Sequence, residues 1–233
     1  MKHFTSIVLI IFTSFIGLSQ TYEVGAILGG ANVIGDVGST TYLSPNTPVF
    51  GVLGKWNRSS RHSFRFSVIH AQIKGNDAES HETRRVERGY SFDNSITEVS
   101  AGIEYNFWEF DTYSGRTVYT PYLFTGINYF IYDAAFINPN TKEDVKYDGN
   151  QSFSIPMVIG FKAMIAPQFI MGFEIGARYS FVDDLDGSNT TSSDETQNRE
   201  ELKFGNLNNN DWYVFTTVYI NFTFGRKPCY CNF

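Results

Sequence analysis

Hydrophobic and polar residues alternate along residues 96–111 with the period of a β-strand, in which successive side chains point to opposite faces. One face carries Thr97, Val99, Ala101, Ile103, Tyr105 and Phe107. The other face carries Glu98, Ser100, Gly102, Glu104 and Asn106. The stretch ends in an aromatic cluster of Tyr105, Phe107, Trp108 and Phe110. Because aromatic side chains concentrate where a membrane strand meets the bilayer interface, the pattern predicts a strand that crosses a bilayer.

Seven other segments are also interpreted as strands, and the eight predicted strands are 22–34, 49–57, 62–72, 96–110, 118–132, 153–164, 168–182 and 212–224. Each can cross a bilayer at a tilt, for which about 9–11 residues suffice. The predicted connections are short at 58–61, 112–117 and 165–167, and long and polar at 35–48, 73–95, 133–152 and 183–211. Short turns on one side and long loops on the other are typical of outer-membrane barrels. We therefore predict an all-β fold, an eight-stranded antiparallel transmembrane β-barrel of outer-membrane type, with both termini in the periplasm.

The first residues predict a cleaved signal peptide. Lys2 and His3 precede an apolar run, and Gly17 and Ser19 occupy the two positions that a signal peptidase recognises. We expect cleavage after Ser19, a barrel over residues 20–224 and a short periplasmic tail over residues 225–233. The residue after the predicted cut is Gln20 rather than Cys, so a lipid-anchored protein is not expected.

Composition agrees with a membrane barrel. Aromatic residues make up 17% of the 233 residues, with 22 Phe and 14 Tyr beside 20 Gly. After the predicted signal peptide, no run of about 18 apolar residues could form a spanning helix. The formal net charge of −6 argues against nucleic-acid binding, which needs a basic surface. The expected surroundings of the barrel are therefore the lipids of the outer membrane of a Gram-negative bacterium.

Apolar faces directed toward lipid place the opposite faces inside the barrel. The charged residues expected there are four acids and four bases: Glu23, Lys55, Arg65, Glu98, Glu104, Lys162, Glu174 and Arg178. Buried charges persist when they are paired, so we expect one network of ion pairs that plugs the lumen. An eight-stranded barrel is just wide enough for its side chains to fill it, so a wide pore is not expected. The favoured role of these charges is barrel stability, and the alternative is a path for protons or ions.

Several candidate motifs for chemistry do not fit their patterns. Residues 183–189 resemble part of a calcium loop, but alignment on Gly187 puts Val182 and Ser193 at ligand positions. We therefore favour a polar turn there, with calcium as the alternative. A lipid hydrolase would need a nucleophile beside a base near the outer rim, and the histidines there are His70 and His81. No acid or nucleophile has a spacing that supports this chemistry, so we predict a non-enzymatic protein without cofactor or metal.

Basic residues concentrate on the predicted periplasmic side. These are Arg58, Arg61 and His62 at a turn, and Arg226 and Lys227 in the tail, which also contains Cys229 and Cys231. On an acidic protein such a surface could steer a partner into register, or it could lie beside lipid headgroups. The two cysteines leave three possibilities open: a strained disulfide or free thiols, a disulfide to a partner, or a metal site.

Four short strings carry a family resemblance: Gly-Gly-Ala-Asn-Val-Ile-Gly-Asp at 29–36, Leu-Ser-Pro-Asn-Thr-Pro at 43–48, Lys-Trp-Asn at 55–57 and Arg-His-Ser-Phe-Arg at 61–65. With the eight-strand layout and the basic end, the chain resembles the PorG family of small outer-membrane barrels of the type IX secretion system. The resemblance implies an accessory of secretion or gliding that touches a periplasmic ring of PorK and PorN, and it carries no catalytic residues. The alternatives are a free-standing surface barrel whose loops bind ligands or cells, and an outer-leaflet lipid hydrolase.

Overall fold

The protein forms a closed antiparallel barrel of eight strands. The computed structural model describes residues 21–114, 116–190, 199–206 and 209–225. The strands are β1 (Thr21–Ile34), β2 (Thr47–Asn57), β3 (His62–Asn76), β4 (Ser91–Asn106), β5 (Tyr119–Ile137), β6 (Asp144–Ala166), β7 (Phe169–Ser180) and β8 (Trp212–Gly225). The ring closes because β8 pairs with β1, from Thr21 opposite Gly225 to Ile34 opposite Trp212. The predicted eight-stranded antiparallel fold is therefore confirmed, and the sheet has no open edge to lose hydrogen bonds in lipid.

The outside of the barrel is an apolar band between two aromatic girdles. Exposed side chains in the band include Val52, Phe66, Ile127 and Ile159, which are 57–64% exposed. At the end of the short turns, ring pairs are Tyr22 with Phe224, Trp56 with Phe64, and Trp108 with Tyr119. At the opposite end, ring pairs are Phe50 with His70, Tyr129 with Phe153, and Tyr179 with Trp212. An apolar exterior flanked by two such girdles is the arrangement of an outer-membrane barrel.

The polarity of the two sheet faces reverses beyond the girdle at the end opposite the short turns. In β3, Arg65 points inward and is 1% exposed, whereas Phe66 points outward and is 60% exposed. Farther along the same strand, Ile73 points inward and is fully buried, while Lys74 points outward and pairs with Asp93 of β4 at 2.8 Å. The strands therefore continue past the bilayer into an aqueous region, where the core is apolar and the outside is polar.

This reversal explains why several predicted strand boundaries differ from the structure. The predicted loop 133–152 is largely a hairpin whose true connection is residues 138–143. The predicted loop 73–95 is shortened at both ends by strand residues but keeps a connection of residues 77–90. At the other end, β4 stops at Asn106, so the predicted strand 96–110 is too long there. The connection that follows β4, residues 107–118, is correspondingly longer than the predicted turn 112–117.

The connections at the end opposite the short turns form a packed cap, and we call this end the outer side. The connection between β3 and β4 contains a 3-10 turn (Asp77–Glu79) and the short helix α1 (Thr83–Arg88). Asp77 is fully buried and accepts hydrogen bonds from the backbone N–H of Gly38 at 2.9 Å and from Arg88 Nε at 2.8 Å. The Arg88 guanidinium lies 4.9 Å from the ring centroids of Tyr90 and of Phe204. These contacts join three outer connections into one cap. None of the helices within the described ranges has both the length and the hydropathy that a membrane span requires.

Candidate functional site

The eight charged residues predicted for the lumen all lie inside the barrel. Each occupies an inward position of its strand, and none is more than 3% exposed. The inward direction follows from the alternation of each strand, which places apolar neighbours such as Phe66 and Ile103 outside. The interior is therefore a polar layer enclosed by an apolar wall.

Glu104 is the centre of one interior cluster, which we call the Glu104 cluster and which comprises Lys55, Arg65, Glu104, Lys162 and Glu174. Lys55 Nζ and Lys162 Nζ each lie 2.6 Å from a carboxylate oxygen of Glu104. Arg65 forms a bidentate pair with Glu174, with distances of 2.7 and 2.9 Å, and its Nη1 lies 3.9 Å from Glu104. Three cations and two carboxylates thus neutralise most of their charge within one cluster, as buried charges must.

Arg178 and Glu98 form a second, separate pair in the lumen. Arg178 Nη2 lies 3.4 Å from Glu98 Oε1, and the guanidinium stacks 4.1 Å from the ring centroid of Phe215. Glu98 also accepts a hydrogen bond from Tyr213 Oη at 3.0 Å. Within the described chain, no ion pair joins this pair to the Glu104 cluster. The ion-paired residues of the lumen therefore form two groups, rather than the single network that the sequence predicts.

Glu23 differs from the other interior acids because amides rather than cations hold it. Asn57 Nδ2 donates to Glu23 Oε1 at 2.8 Å, and Asn221 Nδ2 donates to Oε2 at 2.7 Å. None of the ion pairs found among the described residues includes Glu23. The lumen nearest the short turns is therefore polar but less strongly charged than the Glu104 cluster.

Phe110 closes the same end of the lumen. It was predicted to belong to the aromatic cluster at the membrane interface, but the chain turns inward after β4 and buries Phe110 to 6% exposure. Lys162 Nζ lies 4.6 Å from the centroid of its ring, a cation–π distance. The backbone N–H of Phe110 donates to the carbonyl of Ser60 at 3.0 Å, which fixes the inward turn.

Two tyrosines contact the charged residues of the lumen, and the sequence does not predict these contacts. Tyr122 Oη donates to Glu174 at 2.7 Å, and Tyr219 Oη accepts from Lys55 at 3.2 Å. Tyr122 lies in β5, where apolar or aromatic residues occupy both faces, so alternation in polarity does not reveal its direction. Tyr219 shares its face of β8 with Thr217 and Asn221, so alternation indicates its inward direction but not its contact with Lys55. The direction of Tyr122 could be inferred from its partner on the neighbouring strand. Tyr122 lies opposite Gly160, which is two residues from the inward Lys162 and therefore points to the same side of the sheet.

The basic residues at the β2–β3 turn have different roles. Arg61 Nη1 donates to the carbonyl of Phe107 at 2.9 Å, and its Nη2 lies 3.5 Å from Glu109, so Arg61 links the two neighbouring turns. His62 is exposed, and its Nδ1 lies 3.3 Å from Ser59 Oγ. Arg58 is exposed and forms no ion pair or side-chain hydrogen bond within the described residues. The free positive charge of this turn is therefore that of Arg58.

The other predicted parts of this surface cannot be placed. Arg226, Lys227, Cys229 and Cys231 lie outside the described residues, as does the predicted signal peptide, residues 1–19. The three possibilities for the cysteines therefore stay predictions.

The polar turn at residues 183–189 belongs to the cap. Gly187 has a φ of 75°, a conformation that favours glycine. Burial, assisted by nearby carboxylates such as that of Asp186, raises the pKa of Asp183 to about 6 against the hydrogen bond from Asn189. Burial also raises the pKa of Asp186 and of Asp211. Within the part of the chain that the structure describes, no group of three or more His, Cys, Asp or Glu residues could hold a metal ion.

The two histidines considered for hydrolysis lie in different environments. His70 points out of β3 toward lipid, and its Nδ1 lies 2.8 Å from Thr97 Oγ1. His81 is exposed in the connection that follows. No hydrogen bond joins the two histidines within the described residues, and the hydroxyl beside His70 is that of Thr97 on the lipid-facing side of the barrel.

Comparison with known proteins identifies a family but not an activity. A family model described as "Domain of unknown function (DUF6089)" matches residues 2–233. The chain belongs to this family. No curated protein matches this DUF6089 chain.

Several solved structures are similar to this DUF6089 barrel. Ail, the attachment invasion locus protein of Yersinia pestis, solved with the heparin analogue sucrose octasulfate, has 11% identity and a TM-score of 0.48, with 89% of this chain and 100% of that chain covered. Neisserial surface protein A has 12% identity and a TM-score of 0.47, with 87% and 97% covered. The N-terminal β-barrel domain of Pseudomonas aeruginosa OprF has 12% identity and a TM-score of 0.45, with 88% and 97% covered. Sequence identities of 11–12% and TM-scores of 0.45–0.48 carry no argument about the function of this chain.

Proposed function

We propose that this protein is a non-catalytic barrel of the outer membrane that anchors or helps to assemble a protein-secretion machinery on its periplasmic side. The resemblance of residues 29–36, 43–48, 55–57 and 61–65 to the PorG family supports the type IX secretion system as that machinery. Ring proteins of the PorK and PorN kind are then the partners. A lumen filled with paired charges supports an anchor rather than a channel.

The observation that carries the proposal is the unpaired Arg58 on a rigid turn. The backbone N–H groups of Arg58 and Ser59 both donate to the carbonyl of His62, at 3.0 and 3.1 Å. Arg61 holds this turn against the next one. An exposed cation on a hydrogen-bonded turn of an acidic protein can pair with a partner carboxylate, and such rim charges act mainly on association rate and register.

The test exchanges Arg58 for serine and compares it with Arg84→Ser. Arg84 is an exposed arginine of α1, on the opposite side of the membrane, so it controls for loss of one positive charge. We expect both variants to insert and to keep the faster gel migration of a folded barrel. Secretion and copurification of the periplasmic partner should fall for Arg58→Ser only. If Arg58→Ser secretes and copurifies normally, the partner surface does not include this turn.

A truncation after Gly225 tests the tail separately. It removes Arg226, Lys227, Cys229 and Cys231 but keeps β8 and its pairing with β1 complete. The barrel should insert as before, and the partner should copurify less. If the truncated and the full-length protein copurify the same amount of partner, the partner surface is limited to the turns.

A second candidate is a free-standing surface barrel that binds ligands or cells. The observation that favours it is the packed cap, which exposes Arg84 and Val86 of α1, with Val86 47% exposed. A fixed apolar and basic patch can serve as a binding surface. Substitution of both residues by serine separates the two candidates, because an adhesin loses cell or ligand binding while an anchor keeps secretion unchanged.

A further inference from the structure

A groove of about 680 Å³ opens on the outside of the barrel, across β7, β8 and β1. Its floor consists of the outward side chains of Ile175, Ala177 and Val214, the last two being direct neighbours across the β7–β8 ladder. Val214 is only 4% exposed, whereas Val218 and Ile220 on the same face of β8 are 37% and 48% exposed. The groove is therefore a sheltered site in a wall that is otherwise open to lipid.

The connection between β1 and β2 forms one side of the groove. This connection folds back over the outside of β1, where Asn32 Nδ2 donates to the carbonyl of Tyr42 at 3.0 Å. The close approach requires glycine at position 30, because a Cβ there would lie 2.7 Å from Cβ of Pro45. The side chains of Tyr42 and Leu43 line the groove and are 74% and 52% exposed. An apolar overhang thus faces the membrane beside the barrel wall.

The position of the groove along the bilayer normal can be inferred from two residues of the outer aromatic girdle that line it. Tyr179 and Trp212 line it, with ring centroids 5.0 Å apart, and aromatic residues of this kind lie at the level of the lipid headgroups. Ala177 and Val214 are the next outward positions toward the bilayer centre, and Ile175 is one further. The floor therefore lies at the depth of outer-leaflet acyl chains, and the upper rim lies at headgroup depth.

The upper rim carries more negative than positive charge. Asp36, Asp183, Asp211 and Arg85 line it. Arg85 Nη1 already donates to the carbonyls of Gly35 and Gly38, at 3.0 and 3.2 Å. Asp211 is only 3% exposed and burial raises its pKa, so the accessible charges are the two carboxylates of Asp36 and Asp183 beside one occupied guanidinium. These charges favour a cationic group over a phosphate at this rim.

We propose that this groove binds one outer-leaflet lipid, with an acyl chain on the floor and an ammonium-bearing headgroup at the acidic rim. The volume lies within the range of about 300–1,000 Å³ that is usual for small-molecule sites. An apolar floor with a few polar groups at one end also has the composition of such sites. The ammonium group would replace water as the partner of the rim carboxylates, while the chain fills space that the wall leaves open.

The test measures quenching of Trp212 by brominated lipids in the full-length protein with Trp56→Phe and Trp108→Phe, so that Trp212 is the only tryptophan. Vesicles of phosphatidylglycerol contain the same mole fraction of either brominated phosphatidylethanolamine or brominated phosphatidylglycerol. We expect the ethanolamine lipid to be preferred at Trp212 by about threefold, as expected for a partly exposed ion pair.

Two substitutions in the groove and one control substitution separate a specific site from ordinary lipid contact. Ala177→Phe fills the floor and should abolish the preference, whereas Ala101→Phe, at an exposed outward position of β4, should leave it unchanged. Asp183→Asn should reduce the preference without loss of folding. Equal quenching by the two lipids would show ordinary annular lipid, and stronger quenching by the glycerol lipid would show an anionic ligand. Either result would overturn the proposal.

Discussion

The interior of the barrel has two layers of opposite chemistry. The polar layer, formed by the Glu104 cluster with Glu98 and Arg178, lies at the height of the apolar band outside. The apolar layer lies under the cap and consists of Val33, Val37, Ala71, Ile73, Phe92, Ile96 and Leu185, each no more than 5% exposed. The same strands, β3 and β4 among them, contribute to both layers.

The medium outside each layer accounts for the difference. In the bilayer, apolar side chains gain nothing from pointing inward, because lipid is as apolar as a protein core. Packing and paired charges then hold the interior. Beyond the bilayer, water surrounds the sheet, and burial of apolar side chains again stabilises the fold. One continuous strand therefore has a polar inward residue within the bilayer, Arg65, and an apolar inward residue in the aqueous region, Ile73.

The largest effect that this comparison predicts is on the polar layer. Glu104→Leu removes the carboxylate shared by Lys55 and Lys162 and leaves both cations buried. We expect a loss of about 3–5 kcal/mol in the free energy of unfolding, the usual cost of an uncompensated buried charge. Urea unfolding in lipid vesicles, followed by the gel migration of folded and unfolded protein, measures it.

Glu109→Leu is the matched control, since Glu109 is also a carboxylate paired with an arginine, but its side chain is 72% exposed. An exposed pair contributes at most about 1 kcal/mol, so the control should unfold nearly as the unmodified protein does. If Glu104→Leu costs no more than the control, the polar layer does not depend on its pairing.

The polar layer could be predicted from the sequence only in part. The period of two places Glu98, Glu104 and Glu174 inside, because each alternates with residues that suit lipid. The partners of each charge depend on strand stagger and side-chain reach, which alternation does not contain. Arg178 accordingly pairs with Glu98 apart from the other charges, although the sequence predicts a single network. Phe110 turns inward to meet Lys162, a contact that the sequence does not suggest.

The apolar layer was missed for a related reason. A strand with Lys74 outside and Ile73 inside alternates as regularly as one with Phe66 outside and Arg65 inside, but the polar and apolar faces are exchanged. Polar residues on the expected lipid face were therefore interpreted as loops. A reversal of faces within one alternating run is the signal that would have identified the extended hairpins.

The second prediction tests the apolar layer by itself. Ile73→Ala removes a fully buried side chain from the core cluster that also includes Val37 and Leu185, and it should cost about 2–5 kcal/mol locally. Because the polar layer holds the membrane part independently, the loss should appear as faster amide exchange in residues 69–96. The β7–β8 ladder within the membrane should keep its protection. Val68→Ala, on the lipid-exposed face of the same strand, is the control and should change neither region.

The smallest effect concerns the acidic turn that closes the apolar layer. In an unfolded turn the pKa of Asp183 returns to its ordinary value near 4, whereas in the folded turn burial raises it to about 6. Between these values the folded turn binds more protons than the unfolded one, so its stability falls as the pH rises. The raised pKa of Asp211 acts in the same direction. The turn should thus be better protected at pH 4 than at pH 7.

Amide exchange of Leu185, Gly187 and Ser188 measures this effect, once rates are corrected for the intrinsic pH dependence of exchange. These amides donate within the turn, Leu185 to Asp211 Oδ2 at 3.0 Å and Ser188 to Asp186 Oδ1 at 2.9 Å. Asp183→Asn removes one titrating group and should flatten the dependence near pH 6. Protection that stays constant or increases from pH 4 to pH 7 would show that the carboxylates of the turn are not held in a desolvated site. The apolar layer would then end at Leu185, and water would reach the carboxylates of the turn from outside.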